Sequence, residues 1–339
     1  MRIFITFIFL IFSFCAIGQK VYNVKHYGAK GDGKTNDWEA IQYTIDKALS
    51  NGGGTVYLPV GNYVIHDRTL LIWGLNLKVT GEDKAVTTLI RTGRPGWWGE
   101  LLSISGKSNG GKYYGGFGKI SYQRFDIYKG KSSPAQNIEI SNLTLSSKVP
   151  YPNSSNNLAI TNGRNIQIRN CIIENAPKSN VAIVNVTTKA KNENVLISNS
   201  VLRNSGTHNL RVISYNQGRF LGNSVKIEKT QFYNVKNEDQ GKEINNEKVH
   251  LWYRAALGSP NISLRVIDCY FDNTGKIVGT VNVDNLEILN SKIESSIDLR
   301  PNARYTKNAR IQIIGNHLSE AVKTKNMNKR GIERNNIAK

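Results

Sequence analysis

Cysteine is scarce in this chain. Three in 339 residues exclude a disulfide-dense scaffold. Acidic residues are few beside basic ones, 25 against 45, which leaves a formal charge of +20. Such an imbalance points to an anionic partner: nucleic acid, an acidic membrane or an acidic polysaccharide. Long apolar runs are missing beyond the first residues. With 39% hydrophobic residues and a mean hydropathy of −0.38, a polytopic membrane protein is excluded. Disorder is excluded as well, because Ile, Val and Leu are spread along the whole length.

The first residues choose among the anions. Met1-Arg2 is followed by an apolar stretch, Ile3 to Phe14, and then by Ala16-Ile17-Gly18. This reads as a secretory signal over residues 1–18, cut after Gly18. The run is too short, with the wrong flanks, for a membrane span, so no membrane insertion is expected. Bulky Phe14 argues against a lipoprotein anchored at Cys15. Export to the periplasm or the exterior turns the expected partner from nucleic acid to glycan, and no DNA-reading motif is present. Cys171 and Cys269 remain, in the matching contexts Arg169-Asn170-Cys171-Ile172-Ile173 and Ile267-Asp268-Cys269-Tyr270-Phe271. They read as equivalent buried positions of a repeat, not as a disulfide.

Gly28-Ala29-Lys30-Gly31-Asp32-Gly33-Lys34-Thr35 fits the phosphate-loop expression. Asp32 would put a carboxylate inside an anion cradle, and the strand–helix alternation of nucleotide-binding folds is absent. The stretch has a second reading. It lies within Val21 to Asp37, which is followed by Ala40-Ile41-Gln42, Gly52-Gly53-Gly54-Thr55-Val56-Tyr57-Leu58-Pro59 and Gly61-Asn62-Tyr63. This ordered set resembles the N-terminal signature of the pectate-lyase superfamily, shared by pectate-lyase-like proteins, polygalacturonase relatives and phage tailspikes. The resemblance implies an all-β fold, a single-stranded right-handed parallel β-helix with an N-terminal capping α-helix. It covers about residues 21–65 and carries no catalytic residue with it. The local pattern agrees: Asp37 stands where it would cap a helix from Asp37 to Leu49 with Trp38, Ile41, Ile45 and Ala48 on its apolar face.

The body of the chain repeats. Asn137-Ile138-Glu139-Ile140-Ser141-Asn142 recurs as Asn165-Ile166-Gln167-Ile168-Arg169-Asn170 and Asn194-Val195-Leu196-Ile197-Ser198-Asn199, in steps of 28 and 29 residues. Looser copies start near 225, 264, 286 and 311. Alternation at period 2 marks half-buried strands, and a period in the twenties marks a parallel solenoid. Asn suits the corners, where it tolerates left-handed backbone and can stack into a ladder. One domain is expected over residues 19–322, with 323–339 a basic, flexible tail.

Between the copies lie second apolar segments. If Leu210 and Val212 face the core, Asn209 and Arg211 face out. If Leu251 and Tyr253 face in, His250, Trp252 and Arg254 face out, as do Asp298 and Arg300 beside Ile297 and Leu299. With coils about 4.8 Å apart, one outer face gathers these groups. Arginines grip carboxylate or sulfate, Trp252 can stack on a sugar, and a histidine can move a proton. The face is poor in the paired carboxylates that glycoside hydrolysis uses. β-Elimination on a uronate instead needs a positive charge on the carboxylate and a base for the adjacent C–H. Arg211, His250 and Arg254 are the catalytic candidates. Asn209, His208, Trp252, Arg300, Trp97 and Tyr113 are the substrate-binding candidates, with Tyr253 or Tyr215 as acid if the register slips by one.

Polygalacturonase relatives carry Asn-Thr-Asp, Asp-Asp and Gly-His-Gly segments, none of which occurs here. Calcium-dependent pectate lyases gather acidic ligands on this face. Only Asp298 offers itself, so no cofactor is assigned and calcium stays open. The expected protein is a secreted, monomeric enzyme that depolymerises an acidic polysaccharide by β-elimination. The alternatives are a hydrolase of the same fold on a neutral or sulfated glycan and a non-catalytic glycan-binding β-helix.

Overall fold

Asparagine sets the corners. Fourteen non-glycine residues have positive φ among the described residues, and twelve of them are Asn. The computed structural model describes residues 19–66, 68–93, 100–105, 134–149, 155–185, 192–214, 224–236, 247–254, 263–281, 285–301 and 311–320, with the residue pairs 323–324, 333–334 and 337–338. Between the first and second strand of successive coils stand Asn142, Asn170, Asn199, Lys229, Asp268 and Asn290. At the same corner of the following coil stands Gly315, at φ +67°, where a Cβ would come within 2.6 Å of Asn290 Oδ1. Left-handed backbone is cheap for Asn and Gly and costly for most other residues. The expected ladders are present. Asn165 Nδ2 donates to Asn137 Oδ1 at 3.0 Å, Asn194 does the same to Asn165 at 3.0 Å, and Asn170 donates to Asn142 at 2.8 Å.

Each coil contributes one strand to each of the first two sheets and all but the terminal coils contribute one to a third, and every strand pairing is parallel. The first sheet holds eleven strands, among them Ala135–Ser141, Gly163–Arg169 and Glu193–Ser198. The second holds eleven, including Thr87–Arg91 and Gln231–Tyr233. The third holds nine, from Leu70–Ile72 through Leu102–Ile104, Leu158–Ile160, Ser179–Asn185, His208–Ser214, Val249–Arg254, Lys276–Val281 and Ile297–Pro301 to Lys323–Thr324. This is the single-stranded parallel β-helix that the repeat predicts. The core is one continuous column of stacked Ile, Val and Leu, with Phe232 and Phe271 stacked at 4.3 Å and 7° inside it. Residues 323–339, read from the sequence as a tail, supply two-residue strands to all three sheets at Lys323–Thr324, Glu333–Arg334 and Ile337–Ala338.

The helix, Trp38–Ser50, lays Trp38, Ile41, Ile45 and Ala48 against the core. It closes the N-terminal end over Gly54–Leu58, Leu70–Ile72 and Leu75–Gly81. Asp37 precedes it but does not cap it. Its carboxylate reaches back to accept the amides of Lys30 (2.6 Å) and Gly31 (3.0 Å), and Asn36 accepts from Trp38 N–H instead. Asp32 likewise accepts from the Lys34 and Thr35 amides. The loop that matches a phosphate binder is thus filled by its own two carboxylates. Cys171 and Cys269 are free and buried at equivalent points. Each thiol faces the carbonyl two residues back, and burial pushes each pKa up to about 12.

Candidate functional site

The third sheet carries the expected inside–outside register. Leu210, Val212, Leu251, Tyr253, Ile277, Ile297 and Leu299 face the core. Tyr253 is therefore a core residue and no candidate acid, while Tyr215 lies outside the described residues. Strand pairing sets Ser103, Ala159, Ala182, Arg211, Trp252, Val278 and Asp298 in one outward column. Val184, Ile213, Arg254, Thr280 and Arg300 form the next. Arg211 and Trp252 are neighbours, as predicted, but both are almost fully buried, at 5% and 2% exposure. Ile213, Val249, Trp252 and Val278 make a small apolar cluster separate from the main core. This face carries a compact, largely enclosed constellation.

His208 completes it. Its ring stacks on Trp252, with centroids 5.2 Å apart at 23°, while Trp252 Nε1 donates to Thr280 Oγ1 at 3.1 Å. Burial, with the charges of Arg211 and Lys178, holds His208 well below the usual histidine range, so the imidazole is neutral near pH 7. The tautomer follows from the neighbours. The Thr207 hydroxyl gives its one hydrogen to Lys178 O at 2.9 Å, and with that hydrogen spent its 2.8 Å contact with His208 Nδ1, beside Ser179 Oγ at 3.3 Å, assigns the ring proton to Nδ1. The lone pair then sits on Nε2.

His250 is placed otherwise than the alternation predicts. It is wholly buried at the start of its third-sheet strand, where Val249 pairs Lys276 and Leu251 pairs Ile277, so one residue is left over as a bulge. Asn180 Nδ2 donates to Asn209 Oδ1 (2.9 Å), and Asn209 Nδ2 donates to His250 Nδ1 (2.9 Å). His250 Nε2–H then donates to Asp272 Oδ1 (2.8 Å). Burial raises Asp272. The hydrogen bonds from His250 and Thr274 and from the Asn234 and Thr274 amides outweigh it, and the group lies below the usual carboxylate range. Asn209 is also buried in this ladder, donating to Tyr233 O at 2.9 Å. Neither Asn209 nor His250 stands on the outer face, because the corner turns both side chains inward.

At the other end of the face Arg300 is not an isolated cation. It binds both carboxylate oxygens of Glu247, at 2.7 and 2.8 Å, and is paired with Asp298. Lys276 also binds Glu247 at 3.2 Å. The hydrogen bonds from Asp298 and Glu247 raise the Arg300 pKa further. Asp298, the candidate metal ligand, is thus engaged by Arg300, and the described residues contain no cluster of three acidic, His or Cys ligands. Arg254 is partly buried, and its Nε has no partner among the described residues. Trp97 and Tyr113 lie outside the described residues.

Two further groups escaped the sequence reading. Glu100 and Arg91 are 3% and 0% exposed, at the corner between the second and third sheets. Burial raises the Glu100 pKa to about 7, against the pull of Arg91, Asn156 and Arg211. Neither belongs to a recognisable copy of the repeat, so no periodicity marks them.

A family model described as rhamnogalacturonase A/epimerase, pectate lyase-like, matches residues 21–254. The chain belongs to this pectate lyase-like family. Among its relatives, alginate lyase 7 of Azotobacter vinelandii is 43% identical over 97 residues, 27% of this chain and 11% of that protein. Plasmin and fibronectin-binding protein A of Streptococcus pneumoniae is 24% identical over 327 residues, 89% of this chain and 39% of that protein. The chain thus spans only a minor part of either relative. Tailspike gp49 of Acinetobacter baumannii bacteriophage Fri1, a capsular polysaccharide depolymerase, shares the fold. It superposes with a TM-score of 0.52 at 11% identity, over 94% of this chain and 57% of that one.

Proposed function

We propose that this pectate lyase-like protein acts on an acidic polysaccharide, cleaving it by β-elimination at a uronate on the outer face of the third sheet. The observation that carries the reading is a neutral histidine, His208, stacked on Trp252 beside Arg211. Arg211, with Arg254 one column away, supplies the permanent positive charge that a uronate carboxylate needs as the neighbouring C–H acidifies. His208 Nε2 takes the C5 proton, the electrons form the C4–C5 double bond, the C4–O bond breaks, and the departing oxygen takes a proton from water. Trp252 holds His208 in place through the stack. His250 is a catalytic candidate from the sequence, but both of its nitrogens are already committed, so it serves as a positioning residue for the corner. The alginate lyase and depolymerase among the similar proteins support a polysaccharide substrate, and the signal read at residues 1–18 fits an encounter outside the cell.

Incubation with alginate, pectate and other polyuronates tests this: the absorbance of an unsaturated uronate should appear with wild type and vanish with Arg211→Ala. Reducing ends without that absorbance would mean hydrolysis. A second reading, a binding module without turnover, is favoured by the burial of His208, Arg211 and Trp252. Salt-sensitive binding with no product would establish it.

A further inference from the structure

Buried polar atoms without partners concentrate at one corner. Arg91 ends the strand Thr87–Arg91, and Glu100 and Asn156 stand just before Leu102–Ile104 and Leu158–Ile160 in adjacent coils. Arg91 spends one nitrogen, Nη1, on Asn156 O at 3.4 Å, and Asn156 Nδ2 donates to Glu100 Oε1 at 3.4 Å. Among the described residues Arg91 Nε and Nη2, Glu100 Oε2 and Asn156 Oδ1 are buried with no hydrogen-bond partner, as are the hydroxyls of Ser103 and Ser155. The guanidinium and the carboxylate attract each other but do not close an ion pair. Buried charged groups are ordinarily paired and hydrogen-bonded, so among the described residues this corner has donors and acceptors left over for a ligand.

The atoms specify what. Nε and Nη2 are one edge of the guanidinium fork, with two parallel N–H bonds. That edge matches the two oxygens of a carboxylate. Glu100 Oε2 and Asn156 Oδ1 are oxygens left without a partner among the described residues, and either could accept from a hydroxyl. A carboxylate flanked by hydroxyls is a uronic acid unit. We propose that the Arg91–Glu100–Asn156 corner is a uronate-binding subsite, with Arg91 on the carboxylate and Glu100 and Asn156 on the ring hydroxyls. It lies three strand steps from His208, roughly 14 Å, so it holds a unit away from the bond being cut. The inference rests on the reading of this face as a polyuronate site.

The charges facing Glu100 are Arg91 from the second sheet and Arg211 across the third. Asn156 is its neutral neighbour, and Thr69 of the preceding coil binds its carbonyl at 2.7 Å. With Glu100 protonated, two cations face the guest. Once it ionises, it repels the guest carboxylate. Uronate binding should therefore weaken as pH rises through about 7.

The test is calorimetric titration of the full chain with trigalacturonate and trimannuronate, each beside its methyl ester. The acid form of at least one should bind about tenfold or more tighter than its ester. Arg91→Lys, which keeps the charge but loses the fork edge, should lose most of that preference. Glu100→Gln should bind the acid more tightly than wild type above neutral pH and show no pH dependence near 7, an outcome that decides the matter alone if Arg91→Lys does not fold. Equal binding of acid and ester, no binding of any trimer, or a folded Glu100→Gln with wild-type affinity and pH profile would overturn the subsite. The lyase reading fails separately: it falls if no unsaturated product forms while Arg91-dependent binding persists, and it stands if product forms while both variants bind as wild type.

Discussion

Asn209 donates its amide to Nδ1 of His250 at 2.9 Å, and that contact takes up the only lone pair the imidazole has, because Nε2–H is given to Asp272. His208 is the opposite case, with Nδ1–H committed to Thr207 and the lone pair on Nε2. Two histidines on adjacent coils are thereby sorted into a structural one and a chemical one by their hydrogen-bond partners alone.

Exchanging each for glutamine separates them. His208→Gln should lower kcat on a cleaved polyuronate by about 10²–10⁴-fold, as expected for loss of a proton-transfer group, in a chain that still folds. His250→Gln should cost about 1–3 kcal/mol of stability, since Asn209 and Asp272 lose well-placed partners, while kcat changes only modestly. Steady-state kinetics beside urea unfolding checks both.

Trp252→Ala removes the stack on His208 and the bond to Thr280. KM should rise and kcat should fall together, whereas Trp252→Phe should recover much of both, because a ring can still stack. Initial rates over a range of substrate concentrations distinguish the two.

Glu100 gives stability a pH dependence of known sign. Its folded pKa is raised from 4.5 to about 7, so the folded state holds a proton that the unfolded state has released. Stability should fall as pH rises from about 4.5 towards 7 and level off above. The whole effect is on the order of 3 kcal/mol. Glu100→Gln should flatten that slope, which urea midpoints at pH 5, 6 and 8 would show. An unchanged slope would mean that Glu100 is ionised throughout.

Phe232→Ala opens a hole beside Phe271, both 0% exposed. A loss of about 3–5 kcal/mol is expected, read from the denaturant midpoint, with secondary structure intact in the variant that remains folded.

The buried thiols should be silent. Cys171 and Cys269, each pushed up to about 12, should react with a thiol reagent only after denaturant is added. Rapid labelling of the native chain would contradict their burial.

The sequence made the solenoid legible because two short-range rules coincide along it: apolar residues at period 2 and Asn at each corner. Arg211, Trp252 and Arg254 could be placed on a common face by alternation. The same rule misplaced His250, since alternation assumes a regular strand and the bulge before Leu251 is a pairing property of two strands 27 residues apart in number (249 and 276), and it misplaced Asn209, whose amide is drawn to Tyr233 O and His250 at the corner. Arg300 was read as a free cation because Glu247 reaches it from another coil, a contact with no local signature. Arg91 and Glu100 lie outside any clear repeat copy, so only the folded chain reveals that they share a corner. Asp37 was expected at the helix cap from its position, but two amides of the preceding loop compete for its carboxylate at shorter range.

The one-strand-per-coil architecture turns distance along the third face into a counted quantity. Glu100 and His208 are separated by whole rungs, and excising or duplicating one rung would shift them by about 4.8 Å without rotating either away from the face. Spacing between Glu100 and His208 can thus be changed in discrete increments, as beads are moved on a rod, so under the proposed reading the length of a released fragment would follow rung number.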